Sequence, residues 1–313
     1  MTANAPAVTT TNYGSDSGRA RLPDRTGFAT SSDGVRLAFD VYGAGEPTIA
    51  FLPSTPIIHA RQWKAQIPYL SRHFRVVAYD GRGNGRSERP TTPEAYADDR
   101  VVDDLTAVLD ASGTRTAVLV GLCGDAVWRA VLLAGRAPER VAGIVAFAPG
   151  VPLLTDPHPW RVEYSFLDEL PTDEGWAKLN RHYWRRDYAG FIRFFFGEVG
   201  CEPHSTKVVD DMVRWAAVDG SMDAMLADMD APSDRDREAV VAAALAVRCP
   251  MLLVHGTADR CQPPSRSRAL AELTGARLVV VEGGDHLIPG RHPVLANLLI
   301  RDFVRSLAKE TVQ

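Results

Sequence analysis

The 313-residue chain is expected to fold as an α/β protein with a mainly parallel, doubly wound sheet and an inserted helical cap. Three observations predict this. Short apolar runs recur along the chain, of the kind that strands buried on both faces need. Helical stripes lie between several of them. One long interval, from Pro149 to Pro250, carries no strand pattern.

Taken in order, residues 1–25 are rich in Thr, Ala, Ser and Gly and lack the apolar stretch of a signal peptide, so a disordered tail is expected. Asp33-Gly34, between Gly27–Thr30 and Val35–Tyr42, is a hairpin signal. Buried strands are then expected at Thr48–Leu52, Phe74–Tyr79, Ala117–Val120, Val141–Phe147, Met251–His255 and Leu278–Glu282. Val101, Val102, Leu105, Val108 and Leu109 form one stripe of a helix, and Ala126–Arg136 and Pro293–Leu307 read similarly. The result is βαβα alternation. The strandless interval carries Trp160, Trp176, Trp184, Trp215 and the run from Phe191 to Phe196. A structureless loop of that length does not suit a compact domain. Residues 151–248 are therefore read as the cap, inserted between core segments 26–150 and 249–313, with its aromatics mainly in the cap's own core.

Composition narrows the function. A net charge of −4 and no run of lysines give no reason to expect nucleic acid. No apolar stretch reaches the ~18 residues a membrane span needs. Four cysteines, Cys123, Cys201, Cys249 and Cys261, contain no CxxC pair and make no disulfide framework, so a reducing cytoplasm is the default and no metal or organic cofactor is implied.

In such sheets functional groups collect where strands end. The run Val118–Leu122 stops at Cys123, followed by Gly124 and a helical pattern. That is the layout of a nucleophile elbow, a sharp strand-to-helix turn that exposes one reactive side chain. Asp80-Gly81-Arg82-Gly83-Asn84-Gly85-Arg86-Ser87 follows one strand, Gly256-Thr257-Ala258-Asp259 another, and Gly283-Gly284-Asp285-His286 another. Nucleophile, acid and histidine thus stand in one chain order, each at a strand end. From about Thr26 to Leu307 the chain resembles the α/β-hydrolase fold superfamily, as a variant with cysteine in the elbow. The resemblance implies Cys123 as nucleophile, His286 as base and Asp259 as the group that orients the histidine. It implies oxyanion donors at Gly124 and at Thr55, within Pro53-Ser54-Thr55-Pro56, and a structural role for the Asp80–Ser87 loop.

The chain departs from the family pattern at three places. The apex is a thiol. Asp125 stands where a glycine is usual, two residues on; it suits a helix start, or it lines the pocket and orients substrate. Pro53-Ser54 replaces the His-Gly of the oxyanion loop. Trp128 faces either pocket or sheet, and His59 is a further candidate for the pocket. His255 reads as structural, and Cys249 and Cys261 as packing residues. Asp285 is the weaker candidate orienter beside Asp259. Arg161, Arg181, Arg185, Arg186 and Arg193 read as a solvated helix face, or as a site for an acidic substrate or carrier. The expected function is hydrolysis of an ester, lactone or thioester through a thioester acyl-enzyme. Acyl transfer from Cys123 to an amine, alcohol or thiol is the alternative, and a non-catalytic ligand-binding protein is the third reading. The partner is a small acyl substrate, free or carrier-linked.

Overall fold

The computed structural model describes residues 21–152, 154–233 and 235–310. Its centre is an eight-stranded sheet of order β1-β2-β4-β3-β5-β6-β7-β8. The strands are β1 (Arg25–Thr30), β2 (Arg36–Tyr42), β3 (Thr48–Phe51), β4 (Arg75–Tyr79), β5 (Ala117–Leu122), β6 (Val141–Phe147), β7 (Met251–Gly256) and β8 (Arg277–Val281). β2 pairs antiparallel with β1 and β4; every other pairing is parallel. The hairpin expected at Asp33-Gly34 is the β1–β2 connection, with Gly34 at a φ of 89°. Of the expected tail, residues 1–20 lie outside the described residues, while Arg25 pairs with Val41 and opens the sheet.

Every residue of β3, β5 and β7 is buried, as strands covered on both faces require. Alternation sends successive side chains to opposite layers. Val118, Val120 and Leu122 of β5 join one core, and Ala117 and Leu119 the other. β8, expected as another doubly covered strand, is an edge strand with Val280 exposed, because only β7 pairs with it.

Helices α1 (Asp98–Ser112) and α2 (Gly124–Arg136) follow β4 and β5. Helices α3 (Arg181–Val199), α4 (Lys207–Asp219), α5 (Met222–Met229) and α6 (Arg237–Ala246) lie between β6 and β7. Helix α7 (Pro264–Thr274) joins β7 to β8, and α8 (Pro293–Glu310) ends the described chain. On one face, Leu105 of α1, Val127 and Val131 of α2, Val240 and Ala244 of α6, and Leu270 of α7 share one core with the sheet. Within the 151–248 segment, α6 packs in the same layer as α2 and α7. On the other face, Ile300 and Val304 of α8 share a core with Phe51, Trp63 and Phe147. Trp184, Phe191, Trp215 and Met225 of α3, α4 and α5 belong to that same core, so the aromatics of the insertion continue it.

The Asp80–Ser87 loop is built on buried charge. Arg82 reaches Asp104 at 2.6 and 2.7 Å and Asp33 at 2.8 and 3.2 Å. Asp80 accepts from the Ala60 and Arg86 N–H groups at 3.1 Å each, and Asn84 donates to the Pro56 carbonyl at 2.6 Å. The loop thereby holds the turn after β3 in place. Asp104 is fully buried, and removing one partner of a buried pair leaves the other's charge uncompensated. Asp104→Ala is expected to lower unfolding free energy by about 3 kcal/mol, measured by urea titration. An effect within about 0.5 kcal/mol would show that Asp33 alone suffices for Arg82.

Candidate active site

Cys123 stands between β5 and α2 with φ 75° and ψ 168°. A residue with a Cβ rarely occupies that region, and holding it there costs about 1–3 kcal/mol. The turn is enforced by close packing on both sides. A Cβ on Gly121 would meet Ala126 Cβ at 3.1 Å, and one on Gly124 would meet the Gly150 carbonyl oxygen at 2.6 Å. The Cys123 N–H donates to the Phe147 carbonyl at 3.0 Å. Asp125, in the first turn of α2, faces a cavity.

His286 reaches the elbow from the loop after β8. Its Nδ1 donates to Asp259 Oδ2 at 2.8 Å. Asp259 has no solvent-exposed side-chain surface and also accepts from the Cys261 and Gln262 N–H groups, at 2.7 and 2.9 Å, while His255 Nε2 lies 3.1 Å away. Burial works against the Asp259 charge, but the two histidines outweigh it and hold the carboxyl well below its usual range. The Cys123 sulfur, the Cys261 sulfur and a His286 ring nitrogen lie within 4.8 Å of one another. The Cys261 thiol hydrogen-bonded to it, then the charge and hydrogen bond of His286 and the Gly124 N–H, draw Cys123 well below the ordinary thiol range despite burial. Cys261 is pushed up in turn, chiefly by the Cys123 sulfur it donates to. Burial disfavours a charged His286, but Asp259 and Cys123 prevail and hold it well above the usual imidazole value. A thiolate–imidazolium pair is the arrangement these contacts favour.

A cavity of about 310 Å³ opens beside the sulfur, lined by Thr55, Cys123, Asp125, Cys261 and Gln262 from the loops at the strand ends. Trp184, Phe191, Phe195 and Met225 of the insertion supply its apolar wall. The polar wall holds Asp98, Asp228, Arg129 and Arg235. Arg235 Nε donates to Asp98 at 2.6 Å and its Nη1 lies 3.8 Å from Asp125. Burial pushes the Asp228 carboxyl up to about 7. Thr55 is positioned by Arg129, which donates to the neighbouring Ser54 carbonyl at 2.9 Å.

The structure thus brings Cys123, Gly124, Asp125, Thr55, His286 and Asp259 together. Two sequence candidates stand elsewhere. Trp128 does not line this cavity: it is buried in the sheet-facing core and donates to Asp98 at 2.7 Å. Successive helical residues turn by about 100°, so Arg129 faces the cavity and Trp128 does not. His59 points to a second cavity, where it pairs with Asp219 at 3.1 Å and packs on Trp215. That cavity is larger, about 510 Å³, but no thiol lines it. Asp285 is engaged by Arg291 at 3.2 Å and by the Glu202 and Leu287 N–H groups, away from His286. Sequence reading missed Cys261, taken as a packing residue; its place two positions past Asp259 was the available signal. Arg161, one of the five arginines, contacts the Cys261 sulfur at 3.7 Å and lines the cavity, while Arg181 and Arg186 pair with Asp230 and Asp173.

The strain at the elbow has a measurable sign. Glycine ordinarily stabilises less than alanine, but here only glycine is relaxed. Cys123→Gly is expected to melt above Cys123→Ala by a few degrees, for a difference of about 1 kcal/mol. The reverse order in a thermal melt would mean that the elbow carries no strain.

Residues 47–293 match the alpha/beta hydrolase fold family. A bifunctional esterase/perhydrolase of Acinetobacter calcoaceticus is 26% identical, over 90% of this chain and all of that one. A non-heme chloroperoxidase of Streptomyces lividans is 27% identical, over 90% and 100%. The solved structure of a bromoperoxidase from Bacillus anthracis superposes with a TM-score of 0.72 at 20% identity, covering 90% of this chain and all of the other. With the family matched over most of its length and the sheet order and strand-end site described above, the chain belongs to the alpha/beta hydrolase fold family.

Proposed function

We propose that this chain hydrolyses a small carboxylic ester, lactone or thioester through a thioester acyl-enzyme on Cys123. The observation that carries the reading is the series Asp259–His286–Cys123, whose sulfur lines a cavity, in an order of hydrogen bonds that activates a nucleophile. Similarity to an esterase/perhydrolase supports an ester carbonyl as the electrophile.

In the first step the Cys123 sulfur attacks the carbonyl carbon, and the carbonyl π electrons move to oxygen. The Gly124 N–H lies beside the sulfur to receive that oxyanion, and the Thr55 N–H is the second donor position. One such donor is worth about 3 kcal/mol to the transition state. Collapse of the tetrahedral intermediate expels the alkoxide or thiolate, which takes the proton held on His286. Water then attacks the thioester carbonyl, His286 accepts its proton, and the acid leaves as sulfur is restored. Asp259 holds the ring in one tautomer and offsets its positive charge throughout. The cavity sits at the low end of the size range of small-molecule sites, which limits the acyl group to a short chain or ring.

With p-nitrophenyl acetate, a brief reaction quenched in acid is expected to add one acetyl group to the intact mass, mapped to the Cys123 peptide. Addition at another residue, or hydrolysis with no adduct requirement for Cys123, would sink the mechanism. Cys123→Ala and His286→Ala should each lose about 10⁴-fold or more in kcat/KM, with Asp259→Asn losing on the order of 10²–10³-fold. Full activity in His286→Ala would move the base elsewhere. Adding amines or thiols as acceptors and following the yield of free acid separates hydrolysis from acyl transfer; a yield that stays near one per ester cleaved supports hydrolysis.

A further inference from the structure

We infer that Cys123, Cys261 and His286 form a binding site for one soft divalent cation, zinc(II) being the biological representative, and that its occupancy closes the thiol to acyl chemistry. Their ligand atoms, two sulfurs and an imidazole nitrogen, lie within 4.8 Å of one another. Two thiolates and one imidazole are a donor set that selects zinc over hard cations such as magnesium or calcium. A central point among three atoms no farther apart than 4.8 Å is at most about 2.8 Å from each, so contraction by about half an ångström reaches the zinc–sulfur bond length and by about 0.7 Å the zinc–nitrogen one.

The surroundings also suit a metal. Asp259 takes the Nδ1 proton of His286 at 2.8 Å, which leaves Nε2 as the ligand and gives the carboxylate–histidine–metal arrangement that orients and strengthens an imidazole donor. Arg161 Nη1 lies 3.7 Å from the Cys261 sulfur and Gln262 Nε2 4.0 Å from the Cys123 sulfur, so each sulfur has a hydrogen-bond donor as well. One zinc ion balances two thiolates. Both cysteines line the cavity, so the fourth corner of the tetrahedron opens on it. Coordination forms two metal–sulfur bonds and one metal–nitrogen bond. The Cys261 thiol proton and the proton shared by Cys123 and His286 pass to water, and no electron is transferred. The coordination stands whether or not the chain is a hydrolase; only its inhibitory consequence rests on the proposed function.

Cobalt(II) reports the site without any assay of turnover. Metal-free protein titrated with cobalt is expected to bind one ion per chain, with thiolate-to-cobalt absorption in the near ultraviolet and the visible bands of a tetrahedral ion. Cys123→Ser and Cys261→Ser should each reduce the near-ultraviolet band to about half, because each removes one of two thiolate donors. Asp259→Asn should weaken binding by about 10–100-fold. Folded wild-type protein carboxymethylated at Cys123, verified by peptide mass, should also lose half the band or more, which keeps the test independent of how the variants fold. Zinc should displace the cobalt and inhibit ester cleavage over the same concentration range. No thiolate band would overturn the site, and a band indifferent to Cys261→Ser and to carboxymethylation would overturn it by putting the ion on Cys201 or Cys249. Cobalt binding without ester cleavage overturns the hydrolase reading alone, and ester cleavage without a cobalt band overturns the metal site alone.

Discussion

Asp259 is a carboxylate shut away from water, and the site is arranged around keeping it charged. One oxygen takes the Cys261 and Gln262 N–H groups, and the other meets His286 and His255. An unpaired charge there would be costly, so these partners cannot be lost one at a time without consequence. The same contacts shape the loop after β7, place the Cys261 sulfur against Cys123 and aim His286 at the elbow. Loops that follow two strands are thereby held in register through one side chain.

The segments around it reinforce that register. The His286 N–H donates to the Val199 carbonyl at the end of α3, and the Glu202 and Asp285 groups exchange hydrogen bonds at 3.0 and 3.1 Å. His158 and Trp160 bond to the carbonyls of Asp259 and Arg260 at 2.8 and 3.1 Å. The helical insertion is therefore tied to the acid and histidine loops by backbone-directed bonds as well as by its aromatics. The cavity's apolar wall is thereby joined to the loops that carry Asp259 and His286.

Two cysteines side by side set this strand-end site apart from one built around a hydroxyl. The neighbouring thiol donates to the sulfur and lowers the cost of its negative charge, an effect added to those of the helix N-terminus and the imidazole. Asp125 works in the opposite sense. Burial pushes its carboxyl up, with Arg129 opposing and the Cys123 charge adding to the rise. A polar wall of carboxyls and guanidiniums beside a reactive thiol gives the cavity a mixed character, apolar on the α3 side and ionic on the α2 side.

The order of strands and the elbow were legible in the chain because they rest on local patterns. Apolar runs such as Val118–Leu122 report burial on both faces, and a reactive residue between Leu122 and Gly124 reports a sharp turn. The positions of Asp259 and His286 at strand ends followed from the same alternation. What the pattern could not give was which side chains meet across distant loops. Cys261 looked like a packing residue because nothing near it in sequence names Cys123 as its neighbour. The sequence leaves Trp128 and His59 open for a related reason: one residue along a helix, or one turn of a loop, redirects a side chain into a different space. Apolar periodicity and punctuation by glycine thus decide the fold and the sharp turn that carries Cys123 from sequence alone, since they depend on each residue's own backbone and solvation. The second sulfur, the ionic wall and the place of α6 in one layer with α2 and α7 were decided only by tertiary packing, since they depend on contacts between segments far apart in the chain.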